Sequence, residues 1–436
     1  MSTLLSLSLA LFAGLMMTRV IRRFKLPDVT AYLIAGVLVG PYFLGRLQIP
    51  GLGFGSFEHV ERLGLISDAA LGFIAFAIGN EFRMSQLRQT GKQATIVGII
   101  QGIVAMTFVD IALIGLHYII PDKLSLPAAI TLGSIATATA PAATLMVVRQ
   151  FKAKGKLTDI LLPVVALDDA VGLATFSASF GIAMAMISGK VDLASVILTP
   201  IIEIVASLAL GALMGWVLTQ LERMFHSNSN RLSLIICFVL LTVALSKLEF
   251  QIGSVTLGFS SLLVCMMLGT IFCNLCPLSS DLMDRADRWT SPLYALFFVL
   301  SGAELELGVF SDLAIVGIGA VYIISRSLGK IVGAWGSTKA THCPPQVQKY
   351  LGITLLPQAG VALGMCVTAA ELGADGQLVR NIVLFSVLIY ELVGPMLTKW
   401  ALTKAGDIQP IPPEVQNRRA AQLEQLQKPS KPTGTK

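Results

Sequence analysis

Charge is what this sequence has least of. Asp, Glu, Lys and Arg make up 13% of its 436 residues, against about 25% in an ordinary globular domain. With 54% hydrophobic residues and a mean hydropathy of +0.76, that shortage excludes both a soluble globular chain and a disordered one. Histidine is nearly missing. His59, His117, His226 and His342 lie outside the centres of the apolar runs, so no histidine pH switch is read. The six cysteines, at 237, 265, 273, 276, 343 and 366, sit mostly in apolar stretches, where thiols pack as small hydrophobes. Cys273-x-x-Cys276 has metal or redox spacing but no second pair and no nearby His, so it reads as helix-end packing. No Gly-rich dinucleotide fingerprint occurs, so neither a nucleotide-binding domain nor a cofactor is expected. The alternating ten-residue segments of a membrane barrel are missing too. A net charge of +6 fits basic loops flanking membrane helices better than a nucleic-acid footprint.

Long apolar runs are what remain. Thirteen are counted, at about 3–21, 29–45, 62–80, 93–119, 126–148, 157–187, 194–220, 231–247, 252–273, 291–304, 313–336, 346–370 and 379–401. Most are long enough for a spanning helix of about 20 residues, which predicts an all-α polytopic membrane protein. Basic residues follow Met1–Val20 rather than precede it, the wrong order for a signal peptide, so this stretch reads as the first membrane helix. Alternate breaks carry the cations: Arg22, Arg23 and Lys25; Arg83, Arg88 and Lys92; Arg149, Lys152, Lys154 and Lys156; Arg223 and Arg231; Arg285 and Arg288; Lys339 and Lys349. The breaks between them hold few. By the positive-inside rule the N-terminus is outside and the C-terminus cytoplasmic, in a cell (inner) membrane. Short breaks make residues 1–405 one transmembrane domain. The polar, proline-containing stretch 406–436 reads as a disordered cytoplasmic tail with a short helix near 418–427. The acidic and basic break 274–289 reads as a solvated, amphipathic segment.

Against this background Asp168 and Asp169 stand out, midway through the sixth run. Each carboxylate at membrane depth costs about 2.5–3.5 kcal/mol on insertion scales, so intramembrane acids are read as functional. Two other runs are interrupted. The fifth holds Thr137, Thr139 and Pro141; the twelfth holds Pro357, Gln358 and Gly360. Proline removes a backbone donor, and irregular backbone at membrane depth survives only inside protein or beside a wet cavity. The two breaks are seven segments apart, and an odd offset inverts their orientation. Paired interruptions in inverted halves are the sequence mark of a secondary transporter's binding site. Arg326 and Lys330 share one face of the eleventh run. Lys330 is expected to face the aspartates; snorkelling is the other reading for both cations. Gln101, Asp110, Glu203, Glu304 and Glu391 are weaker candidates.

These residues resemble the monovalent cation:proton antiporters of the second type, in the sodium/proton exchanger form. The resemblance rests on Lys25-Leu26-Pro27 with Ala31 to Pro41, on Thr139-Ala140-Pro141, on Leu167-Asp168-Asp169, on Gly329-Lys330, on Leu356 to Leu363 and on Tyr390-Glu391-Leu392-Val393-Gly394-Pro395. It implies a sodium/proton antiporter fold with inverted repeats and two crossed broken helices. It implies a homodimer, with a moving core of about 93–187 and 313–401 against a scaffold of the remaining helices. Asp169 is then the main ion-binding carboxylate and Asp168 the partner of Lys330, with Arg326 as a second cation nearby. Asp168, Asp169 and Thr139 would transiently hold Na⁺, or Li⁺ or K⁺, in competition with H⁺. Thr137, Thr139, Pro141, Pro357 and Gln358 would supply broken-helix backbone beside the ion. The rival readings are a K⁺/H⁺ antiporter of the same family, a sodium-coupled organic-solute symporter, and a passive cation channel. An intramembrane aspartyl protease is disfavoured, because neighbours on one helix point about 100° apart.

Overall fold

The computed structural model describes residues 3–408 other than 25, 50–51, 81, 189–192, 249, 253–254, 306 and 309–311. The expectation for the tail therefore falls outside the described residues, apart from its first three. The helices, in chain order, are α1 (Thr3–Arg22), α2 (Asp28–Val39), α3 (Phe57–Glu61), α4 (Gly64–Asn80), α5 (Met84–Ile119), α6 (Leu126–Ile135), α7 (Pro141–Gln150) and α8 (Lys156–Ser188). They continue with α9 (Leu193–Glu222), α10 (Asn228–Ser246), α11 (Ser261–Leu275), α12 (Ser279–Glu304), α13 (Leu313–Ala340), α14 (Pro345–Thr354), α15 (Gly360–Ala369) and α16 (Ala374–Ala405). Eight described helices are long and apolar enough to cross a membrane, and shorter apolar helices stand between them. Each of the thirteen apolar runs contains a helix or a broken pair; runs five and twelve are the pairs α6–α7 and α14–α15.

Local chemistry sets the ends. Ser125 caps α6 by accepting from the Ala128 N–H at 3.1 Å, and Asp312 caps α13 through the Ala314 N–H at 2.8 Å. Pro141 opens α7, where its missing donor would have gone unused. Two boundaries differ from expectation. The ninth run does not begin as helix. Phe250–Ile252 (β1) and Val255–Leu257 (β2) form an antiparallel hairpin pairing Phe250 with Leu257, and α11 starts only at Ser261, where Ser260 supplies the cap. These residues are rich in β-branched and aromatic side chains, which suit a strand as well as they suit a membrane run. The solvated, amphipathic stretch expected at 274–289 is found from Ser279 onward, with Asp281 and Arg285 exposed, but it belongs to the same helix as the tenth run. α12 runs unbroken from Ser279 through Asp281, Asp284 and Asp287 into the apolar stretch, and Asp281 pairs with Arg285 one turn on at 2.9 Å.

The helices pack as two groups. In one, α5 lies along α13 and α8, and α6, α14, α15 and α16 complete the bundle. In the other, α2 and α4 lie against α12, with α1, α9, α10 and α11 around them. Without a hydrophobic drive between helices in lipid, close backbone approach at small residues supplies the contact. A Cβ on Gly36 of α2 would strike the Val299 carbonyl of α12, and one on Gly329 of α13 would press on the Ala105 backbone of α5. Gly36→Val is expected to destabilise the protein by about 1–3 kcal/mol or more, as overpacking does, and thermal unfolding in detergent measures it.

Candidate functional site

The site is built where α6–α7 meets α14–α15. Residues 136–140 and 355–359 are unwound, and the Ala140 N–H donates to the Pro357 carbonyl at 2.8 Å. Prolines at 141 and 357 deny the preceding turns their usual donors, so carbonyls at the ends of α6 and α14 need partners inside a dry interior. Arg326 of α13 provides them. Its Nε donates to the Ala136 carbonyl at 3.0 Å, one terminal nitrogen to Ala138 at 2.7 Å and the other to Leu356 at 2.7 Å. Its guanidinium carbon lies 4.5 Å from the centre of the Tyr390 ring. A fully buried cation is thus placed on the negative ends of two helix dipoles. Among the described residues its hydrogen bonds go to backbone carbonyls, so Arg326, expected as a second cation near Lys330, serves the crossing itself.

Gln358 also serves the crossing. Its amide donates to the Ile135 carbonyl at 3.0 Å and to the Tyr322 hydroxyl at 2.9 Å, and its carbonyl oxygen accepts from Ser386 at 3.1 Å. Tyr322 and Ser386 were absent from the sequence reading. A signal did exist for Tyr322, since Tyr322, Arg326 and Lys330 recur every fourth residue on one face of α13. Arg326→Lys keeps the charge but not the three-pronged reach. Hydrogen bonds to charged groups contribute about 1.5–3 kcal/mol each, so losing two should cost about 3 kcal/mol or more, read as a lowered melting temperature.

One turn further along α13, Lys330 is fully buried and uses all three of its protons. It donates to the Thr137 carbonyl at 2.6 Å, the Thr139 hydroxyl at 2.9 Å and Asp168 Oδ2 at 2.9 Å. The Thr139 hydroxyl in turn donates to Asp168 Oδ2 at 2.5 Å, and the Gln101 side-chain amide of α5 donates to Asp168 Oδ1. Asp168 is therefore held by three donors in a buried ion pair. Asp169 is not. It is 1% exposed, and neither carboxylate oxygen has a hydrogen-bond partner among the described residues. Adjacent residues on α8 point about 100° apart, so one acid faces Lys330 and the other does not. Of the remaining candidates, the Thr137 hydroxyl donates to the Ser134 carbonyl at 2.7 Å and lies 3.4 Å from that of Thr175. Pro141 and Pro357 act through the breaks they make. Asp110 lies against Gly133 of α6, and Glu203 accepts from the Gly258 N–H at 3.4 Å.

A cavity of 1030 Å³ opens between α7 and α8 on one side and the ends of α4 and α12 on the other. Arg83, Arg149, Lys152, Asp287 and Tyr294 line it, and it reaches Pro163. Pro163 is six residues before Asp169, about 9 Å along the helix. The Arg149–Asp287 ion pair joins the end of α7 to α12 across this cavity.

Two helices broken and crossed at a buried charge cluster, in a multi-pass membrane protein, define a secondary transporter. The sequence model of the transmembrane sodium/hydrogen exchangers matches residues 7–404, and the chain belongs to that family. It is similar to the Na(+)/H(+) antiporter NhaS4 of Synechocystis sp. (strain ATCC 27184 / PCC 6803 / Kazusa), 24% identical over 391 residues, covering 86% of this chain and 92% of that protein. The high-affinity Na(+)/H(+) antiporter NhaS3 of the same organism is 23% identical over 431 residues, covering 90% and 88%. The fold is shared with the sodium proton antiporter MjNhaP1 of Methanocaldococcus jannaschii at pH 8, with a TM-score of 0.66, 17% identity and coverage of 92% of this chain and 97% of that one. The expected sodium/proton exchanger type and antiporter fold are thereby met.

Proposed function

We propose that the protein exchanges Na⁺ for H⁺ across the membrane by alternating access, with Asp169 as the shared binding carboxylate. The observation that carries this reading is the pair of unpartnered oxygens on a buried Asp169. A buried, unpaired carboxylate is costly. A proton relieves that cost in one state and a partly dehydrated cation in the other, so the two compete for one charge. Asp168, tied to Lys330, Thr139 and Gln101, fixes the geometry and lends negative potential. Thr139 is likewise engaged, so any cation ligand beyond Asp169 comes from water, from unwound backbone or from a rearrangement of the Lys330 cluster.

In this reading the bundle of α5–α8 and α13–α16 moves against the other helices, and the 1030 Å³ cavity is the cytoplasmic approach. The basic breaks Arg83 to Lys92, Arg149 to Lys156 and Arg285 to Arg288 then face the cytoplasm, the N-terminus lies outside, and the scaffold helices form a homodimer in the bilayer. The test is cation-driven pH change in proteoliposomes with Na⁺, Li⁺ and K⁺, each with and without a clamped membrane potential. Saturable, voltage-responsive Na⁺ or Li⁺ exchange supports the reading. Potassium-driven, voltage-insensitive exchange moves the protein to a K⁺/H⁺ function, and the absence of proton coupling with all three ions overturns antiport.

A further inference from the structure

The first residues beyond α16 are fastened to the start of α8, the helix that carries Asp168 and Asp169. Gly406 ends α16 with a φ of +87°; its N–H donates to the Thr403 carbonyl at 3.2 Å, and the Asp407 N–H donates to the Leu402 carbonyl at 3.0 Å. That left-handed turn delivers Asp407 to the break between α7 and α8. The Asp407 main-chain carbonyl accepts from the Lys154 N–H at 2.9 Å. Its Oδ2 accepts from the N–H and from the hydroxyl of Thr158, each at 2.7 Å. The residue before α8 is Gly155, which has no side chain to cap the helix, and a Cβ there would strike the Asp407 carboxylate. Asp407, 6% exposed, thus supplies from the end of α16 the N-terminal cap that α8 lacks in its own sequence. A carboxylate also suits the positive end of the helix dipole.

What this cap holds is a wall of the cavity. Lys154, Gly155, Thr158, Asp159, Leu162 and Pro163 line it on the α8 side. Pro163 lies inside α8 and denies the Asp159 carbonyl its usual backbone donor, so residues 156–162 are the less constrained end of the helix. Thr158 and Leu162 stand eleven and seven residues before Asp169, within about 20° of it around the helix. The capped segment and the binding carboxylate therefore share one face. We propose that Asp407 is a positioning residue for exchange: by capping α8 it holds the 156–162 segment in the wall along which the cation approaches Asp169. The proposal rests on the exchange reading for the cation's route, while the clamp itself stands on its hydrogen bonds. The clamp also ties the two halves of the bundle together a second time. The Ala140–Pro357 bond joins them at the crossing, and Asp407 joins α8 to the end of α16.

Amide hydrogen exchange and transport, both on the full chain, test this together. In Asp407→Ala the amides of 156–162 should exchange about fivefold faster, the usual effect of losing a side-chain cap. In proteoliposomes the Na⁺ concentration for half-maximal exchange should rise at least about twofold with the maximal rate kept, because only the held state offers the cation its path. Asp407→Asn, whose amide oxygen still accepts from Thr158, should stay near wild type in both measurements. Gly155→Ala keeps Asp407 but denies its carboxylate a seat, and should reproduce Asp407→Ala; it carries the comparison if Asp407→Ala does not fold. A role in stability alone would lower the melting temperature of Asp407→Ala and leave the half-maximal Na⁺ concentration unchanged, and that result overturns the proposal. So does unaltered amide exchange in Asp407→Ala, or a Gly155→Ala protein that behaves as wild type. Failure of the exchange reading shows separately, as wild-type vesicles without cation-driven proton movement, and the amide exchange of 156–162 still decides the clamp.

Discussion

Asp169→Asn is expected to bring cation-driven proton exchange down to the level of empty vesicles while the protein still inserts and keeps its melting temperature. The two halves of that expectation have one cause. Asp169 is buried and its oxygens accept no hydrogen bond from the described residues, so the amide removes none of the contacts seen there. It removes only a charge that the fold leaves uncompensated, and taking away an unpaired buried charge does not destabilise. The same charge is what a cation and a proton compete for, and an amide at this position holds neither tightly. Most substitutions that kill a transporter lower its stability as well; this one separates the two. Size-exclusion behaviour and thermal unfolding of the purified variant report the fold, and fluorescence quenching of a pH dye in vesicles reports exchange. Full exchange by the variant would remove Asp169 from the mechanism.

The aspartates, the two breaks and the cation helix were legible in the sequence because membrane physics makes each of them conspicuous. A carboxylate pair in an apolar run, a proline in mid-span and a lysine far from either helix end all contradict their surroundings. What was not legible was who answers whom. Arg326 and Lys330 look alike in the sequence, four residues apart on one face, yet Arg326 closes three backbone carbonyls and Lys330 closes an ion pair. Carbonyls are the same in every residue, so a partner made of backbone leaves no letter to read. Gln101 ranked as a weak candidate because a lone amide near mid-helix is usually packing; it binds Asp168 where α5 packs along α8, a neighbour that its own stretch of sequence does not reveal. The hairpin at 250–257 and the early start of α12 were not legible for a different reason. Composition fixes how apolar a stretch is, whereas strand against helix, and where a helix begins, were settled by neighbours.

The Asp168–Lys330 pair should behave as a coupled unit. Asp168→Asn alone leaves a buried ammonium, Lys330→Met alone leaves a buried carboxylate, and breaking a buried pair from one side typically costs about 3–5 kcal/mol. In the double variant no charge is stranded, so its loss of stability should fall well short of the sum of the two, and the shortfall is the coupling energy of the pair. Methionine keeps much of the lysine stem, which limits the cavity contribution. Transport should not follow stability. Lys330 also donates to the Thr137 carbonyl and the Thr139 hydroxyl, and methionine supplies neither donor, so the unwound stretch beside Asp169 loses its anchor even where the charges cancel. The double variant is therefore expected to melt closer to wild type than either single variant, and yet to exchange with an altered pH profile and an altered response to a clamped potential. Single variants whose losses simply add would show that Asp168 and Lys330 are independent. A stable double variant with unchanged current and pH profile would show that the pair only holds the fold.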